Sequence, residues 1–110
     1  AEMCCLKLSN LGGLSKARRV RDFLIDNRIP VVSEDTWGGE ITPAVVAHFA
    51  ASTSPDYLLN TTDLMNYNTR STGVGGPTVR DGKLYATDTP SLGVTPDFES
   101  LGPPVAEYSA

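Results

Sequence analysis

The side chains able to do chemistry in this chain gather at the ends of three short apolar runs. Lys7 sits in Leu6-Lys7-Leu8, and an ammonium between two leucines is costly to bury unless it reaches a polar mouth. It is either such a strand-end head group or a lysine whose stem only covers apolar surface. Glu34 and Asp35 close the second run, Pro30-Val31-Val32-Ser33. Neighbours on a strand face opposite ways, so at most one carboxylate can look into a shared site and bind a substrate ammonium there. The other reading is a solvated or hydrogen-bonded loop carboxylate. Trp37, the single tryptophan, is either a packing residue or a π face for a cationic nitrogen. The third run, Tyr57-Leu58-Leu59, ends in Asn60-Thr61-Thr62-Asp63. These four can hydrogen-bond a substrate or intermediate, with Asp63 as a candidate acid or electrophilic group.

Other signals carry less. His48, the only histidine, lies between Ala47 and Phe49 on a helical pattern and reads as structural. Gly73-Val74-Gly75-Gly76 runs into Pro77 with no helix or Lys-Ser/Thr behind it, so it is no phosphate loop. No histidine–cysteine cluster has metal-ligand spacing. Adjacent Cys4 and Cys5 make a poor disulfide pair, and they read as small core residues of a reduced, cytosolic protein.

The elements that must position these groups follow from periodicity. Residues 3–8 form a strand-length run. Ser15 is a candidate helix N-cap, with Ala17, Val20 and Leu24 at helical spacing and Phe23 near them. Arg18, Arg19, Arg21, Asp22 and Asp26 occupy the opposite face, and Asn27 and Pro30 stop the helix. Residues 30–33 open a second strand. Thr42-Pro43 then reads as an N-cap followed by proline at the first helical position, with Val45, Val46, Phe49 and Ala50 behind it. Residues 57–59 form a third strand. Strand starts recur at roughly 27 residues, the period of βαβ units with parallel strands. Apolar strands imply burial on both faces, and in such folds ligands bind beyond the strands' carboxyl ends. All three ends here are polar, which suggests one site face. Gly12-Gly13 and Gly38-Gly39 would let backbone approach a ligand closely.

The chain has 110 residues, 40% of them apolar, and a net charge of -4. That is one domain at most, too apolar for disorder. It has no apolar run of the ~18 residues a membrane span needs and no basic cluster suited to nucleic acid. The last 47 residues hold 5 of 8 prolines and 6 of 10 glycines. Asp81-Gly82 predicts a hairpin near residues 78–86, and the rest reads as an extended strap. A three-stranded parallel sheet leaves two open edges and cannot close a barrel, which takes about eight strands. The opening Ala-Glu-Met-Cys-Cys reads as the middle of something. The expected fold class is therefore α/β: about the last three βα units of a (β/α)8 TIM-type barrel in residues 1–63, plus a Gly/Pro-rich tail in residues 64–110. A small three-stranded α/β domain is the alternative.

The residues also carry a family likeness. Leu6-Lys7-Leu8-Ser9-Asn10-Leu11-Gly12-Gly13-Leu14-Ser15-Lys16-Ala17 resembles the sixth strand and loop of the mandelate racemase/muconate-lactonizing enzyme family of the enolase superfamily. Ile29-Pro30-Val31-Val32-Ser33-Glu34-Asp35-Thr36-Trp37-Gly38-Gly39 resembles its seventh strand. Ala47-His48-Phe49-Ala50-Ala51-Ser52-Thr53 resembles the helix after it. Pro90-Ser91-Leu92-Gly93-Val94 is similar to the tail segment that returns to the family's capping domain. Ser91 there replaces the usual glycine.

The resemblance implies a Mg²⁺-dependent enzyme that removes or returns the proton α to a carboxylate, as a racemase, epimerase, dehydratase or cycloisomerase. It implies Lys7 as general base and acid, a task for which a lysine must be brought from ~10.4 to about 7–8. It implies small carboxylate substrates and a homo-oligomeric parent. The Glu34-Asp35-Thr36-Trp37 loop favours an amino acid or betaine. Within the family the chain resembles a C-terminal fragment of the muconate-lactonizing-like branch, and there it looks most like the cis-3-hydroxyproline dehydratases and hydroxyproline-betaine epimerases. The family's metal-binding carboxylates lie on earlier strands, upstream of residue 1. These 110 residues alone are thus expected neither to bind the metal nor to turn over substrate. A non-catalytic α/β binding or scaffold fragment is the competing function class.

Overall fold

Leu6, inside one strand, and Val31, at the start of the strand beside it, are buried, and the fold is organised around them. In the computed structural model, which describes residues 1–64 and 67–109, β1 (Cys4–Lys7), β2 (Val31–Glu34) and β3 (Leu58–Thr61) form a parallel sheet in that order. β1 and β2 run in strict register, Cys4 opposite Val31 through Lys7 opposite Glu34. β2 and β3 shift register between Val31 and Val32, so Val32 pairs with Asn60. The third strand thus starts and ends later than its apolar run suggested, and takes in Asn60 and Thr61.

α1 (Leu14–Asp26) and α2 (Ile41–Ala51) follow the first two strands. Their Ala17, Leu24, Val46 and Phe49 share one buried cluster with Leu6, Leu8 and Val31, so both helices cover the same sheet face. Ser15 and Thr42 do not cap them. α1 starts one residue before Ser15, behind Gly13 at φ 122°, and α2 starts behind Glu40, with no side-chain cap on either. Gly12, at φ 72°, makes the reversal out of the short 3-10 turn over Leu8–Leu11, a conformation that favours glycine. The first Gly-Gly pair is therefore accounted for by chain reversal.

Two sequence expectations about α1 fail for one reason. Phe23 is 64% exposed and Arg21 only 6%, because the buried stripe runs Ala17–Arg21–Leu24 rather than through Phe23. Arg21 spans the helices: its Nη1 donates to Ser52 O at 3.2 Å and Ser52 Oγ at 2.8 Å, and the guanidinium lies 5.2 Å from the Phe49 ring centre. Nε and Nη2 reach Asp22 Oδ1 at 2.9 and 2.8 Å. A buried cation is tolerated when its donors are satisfied this way.

The tail is more ordered than its composition suggested. β4 (Gly73–Gly75) pairs antiparallel with β7 (Val94–Pro96), and β5 (Thr78–Arg80) with β6 (Lys83–Tyr85). The β5–β6 turn places Asp81 at φ 50° and Gly82 at φ 71°, the two left-handed positions such a turn requires. Ser91, in the glycine position of the family's tail, adopts φ 65°; the turn is kept at a strain of about 1 kcal/mol. α3 (Phe98–Leu101) is capped by Asp97, which accepts from the Glu99 and Ser100 amides.

Glu40 ties this tail to α2. Its Oε2 accepts from Thr72 N at 2.9 Å and Thr72 Oγ1 at 2.8 Å. A Cβ on Gly39 would collide with the Thr72 side chain, so the second Gly-Gly pair admits the tail rather than a ligand. Burial raises the Glu40 pKa, but the bonds from Ser71 and Thr72 outweigh it and hold the carboxyl at about 2, against 4.5 for a free glutamate.

Two outcomes follow. Arg21→Ala should lower the urea midpoint by the equivalent of about 2–3 kcal/mol, since it strands buried partners of α1 and α2. A depressed carboxylate stabilises above its unfolded pKa and loses that effect as pH falls through the folded value. Tail protection at Thr72, read by hydrogen exchange, should therefore be full above about pH 4.5 and fade towards pH 2. Glu40→Gln should remove that dependence.

Candidate functional site

Strand alternation decides which side chains can meet. Leu6, Val31 and Ser33 point into the helix layer and are buried, so Cys5, Lys7, Val32 and Glu34 lie on the opposite face. Lys7 and Glu34 are direct partners at the carboxyl ends of their strands, and both are half-buried. One ammonium and one carboxylate thus stand side by side on the face the helices leave open. They make no ion pair: among the described residues the one salt bridge is Arg21–Asp22. Cys5, two residues before Lys7, shares this face and is exposed, not a core residue as its apolar surroundings suggested. Partial desolvation and then the Glu34 charge push its thiol up.

Asp35 goes elsewhere. Its Oδ1 accepts from Ser9 N at 3.2 Å and Thr36 N at 2.7 Å, joining the loop after β1 to the loop after β2. Desolvation opposes its ionisation, yet the bonds from Ser9 and Thr36 prevail and its pKa is lowered.

Trp37 is 64% exposed and packs edge-to-face on Tyr67, with ring centroids 4.6 Å apart and planes inclined by 60°. Tyr67 drew no attention in the sequence; the only signal was a second aromatic on a strand-end loop. Thr61 Oγ1 and Thr62 N both donate to Ser33 O, at 3.0 and 3.2 Å. Asn60 and Asp63 line a cleft of about 460 Å³ together with Val79, Lys83 and Tyr85 of the β5–β6 hairpin. Lys7 and Glu34 do not line that cleft. The cleft follows the free edge of β3, whereas the paired charges occupy the open sheet face.

His48 is half-buried on α2, away from these loops; its buried Nε2 and the Ser33 Oγ have no hydrogen-bond partner among the described residues. Gly73, Gly75 and their neighbours form β4, not a phosphate cradle. Among the described residues, no three His, Cys, Asp or Glu side chains gather where they could hold a metal ion. Magnesium, which the resemblance implies, has no fitting donor set among the described residues.

Comparison with known proteins identifies the family. The family described as "Enolase C-terminal domain-like" matches residues 1–101. The chain belongs to that family. Its fold is accordingly α/β of TIM-barrel type. It is 45% identical over 104 residues to the cis-3-hydroxy-L-proline dehydratase of Roseibium aggregatum, covering 94% of this chain and 28% of that protein. A mandelate racemase/muconate lactonizing enzyme from Roseovarius nubinhibens ISM superimposes with a TM-score of 0.95 at 75% identity, covering 100% of this chain and 30% of that one. A member of the enolase superfamily from the same organism, crystallised with magnesium, gives a TM-score of 0.93 at 33% identity, with 100% and 30% covered. The chain thus spans under a third of the length of these relatives. Among the described residues no helix is long and apolar enough to cross a membrane.

Asp35→Ala should free the amides of Ser9 and Thr36. Hydrogen exchange in residues 8–12 and 35–38 should quicken several-fold, while exchange in the core of α1 stays at the parental rate.

Proposed function

We propose that the full-length protein is a Mg²⁺-dependent enzyme that abstracts and returns the proton α to the carboxylate of a small amino-acid-type substrate. The observation that carries this is the juxtaposition of Lys7 and Glu34 at adjacent strand ends, on the sheet face opposite the helices. Family membership and identity to a cis-3-hydroxy-L-proline dehydratase support the chemistry. In this reading residues 1–63 are the last βα units of a (β/α)8 barrel. Residues 64–110 are a tail packing back on the barrel or a capping domain. The magnesium ligands belong to the remaining length of the protein, so this chain alone is inactive. A cytoplasmic homo-oligomer completes the reading.

The roles divide by geometry. Once unprotonated, Lys7 takes the α-proton on its Nζ lone pair and becomes an ammonium, which can give the proton back or pass it to a leaving hydroxyl. Glu34, open on the same face, holds the substrate ammonium. Asp35 is tied to Ser9 and Thr36, so its part is to fix the loops around the substrate rather than to bind it. Trp37 turns a ring face to the substrate nitrogen, and Thr62 supplies a hydrogen bond from the third strand end; Asn60 and Asp63, which line the separate cleft along β3, contribute only where the substrate extends into it. Bound magnesium would stabilise the negative charge left on the carboxylate.

The test is Lys7→Met, which keeps the side chain's volume and removes the titrating amine. The fold should survive. Solvent deuterium entering the α-carbon of cis-3-hydroxy-L-proline or L-proline, followed by NMR, should slow by about 10²–10⁴-fold. Exchange near the parental rate would remove Lys7 as the base.

A further inference from the structure

We infer that Cys5 is a positioning residue: its thiol holds the Glu34 carboxylate back from Lys7 and so keeps the two charges from closing into an ion pair. The inference rests on the proposed reading of Lys7 as base and deepens it, by naming what leaves that base free to lose its proton. Register brings the three groups together. Lys7 stands directly opposite Glu34, and Cys5 stands opposite Val32, two residues before Glu34 on the neighbouring strand. The period of two puts all three side chains on the face away from the helices. Neighbouring strands lie about 4.8 Å apart, and the diagonal across two residues is roughly 8 Å. A glutamate side chain can span either distance, so it can turn forward to Lys7 or back to Cys5.

It turns back. An ammonium and a carboxylate placed side by side ordinarily close on each other, yet among the described residues the one salt bridge is Arg21–Asp22. Desolvation, then the charge of Glu34 and a hydrogen bond to it, disfavour the Cys5 thiolate, which keeps Sγ a proton donor. A thiol is a weak donor, but an ionised acceptor strengthens the bond it gives. Cys4 cannot replace it, because that side chain packs against the helix layer. The other carboxylates near these strand ends are placed elsewhere: Asp35 accepts from the Ser9 and Thr36 amides, and Asp63 lines the separate cleft along β3. The consequence is chemical. A carboxylate closed on Lys7 would favour the ammonium, and an ammonium has no lone pair for the α-proton. Held by the thiol, Glu34 stays beside the base without neutralising its function and remains available to the substrate nitrogen.

The test is the pH dependence of deuterium exchange at the α-carbon of L-proline by the full-length protein, at substrate concentrations low enough to report the free enzyme. Cys5→Ala releases the carboxylate to Lys7, so the pH of half-maximal exchange should rise by about one unit. Exchange below that pH should slow about tenfold while the maximal rate holds. Cys5→Ser keeps a donor and should stay near the parental profile. In a Glu34→Gln background no carboxylate can swing across, and Cys5→Ala should add no shift. A merely structural role would lower the maximal rate and leave the midpoint in place; that result overturns the inference, as does a shift that persists with Glu34→Gln. Infrared spectroscopy judges the contact without turnover. The Cys5 S–H stretching band, identified by its loss in Cys5→Ser, should move to higher frequency in Glu34→Gln, and an unmoved band also overturns the inference. The base is judged separately. If Lys7→Met still exchanges while the band moves, the base falls and the thiol contact stands; if exchange stops but neither profile nor band responds, Cys5 alone falls.

Discussion

The parallel pairing of β1 with β2 is the constraint on which the rest depends, because it is in strict register over all four residues of each strand. Leu6 and Val31 must enter the helix layer, where Ala17, Leu24, Val46 and Phe49 close over them. With a side-chain period of two, that burial drives Lys7 and Glu34 to the other face together. A slip of one residue would bury the charges and expose the leucine, so the apolar layer enforces the site's geometry as firmly as it enforces stability. Leu8 seals the arrangement: it is buried at the first residue after β1, in the 3-10 turn, and fixes where the strand stops and Lys7 emerges.

Charged groups in this protein divide into struts and open groups. Arg21, Asp35 and Glu40 are struts, and each joins segments distant in sequence: α1 to the end of α2, the first loop to the second, and α2 to the tail. Their hydrogen bonds are met within the chain, which is why the ionised forms of both carboxylates are favoured despite partial burial. Lys7 and Glu34 meet the reverse condition, being adjacent and without an ion pair. On that face Glu34 meets the Cys5 thiol instead, whose pKa it raises.

Family membership relates these features to proteins more than three times as long as this chain. The relatives keep this backbone at 33% identity as closely as at 75%, as expected where the apolar layer fixes the fold. The described residues assemble no group of His, Cys, Asp or Glu that could hold a metal ion. What this chain places beyond its strand ends is Lys7 beside Glu34 and the Trp37–Tyr67 ring pair.

The amino-acid sequence by itself determined the alternation of strands and helices, the three polar strand ends and the hairpin-type dipeptide Asp81-Gly82. Each is a local property of period, β-branching or turn chemistry. It also marked Lys7, since a lysine between leucines is conspicuous wherever the chain goes. Tertiary structure alone decided which face each group took. Arg21 looked solvated because helical periodicity cannot tell a buried cation with partners from an exposed one; Ser52 and Phe49, which hold it, come from the next helix. Asp35 and Glu40 became struts through partners at Ser9 and Thr72, separated by 26 and 32 residues. Tyr67 gained meaning only when two loops closed on each other and brought its ring to Trp37. Long-range pairing is invisible to local pattern, because the free energy that selects it arises only when the distant partner arrives.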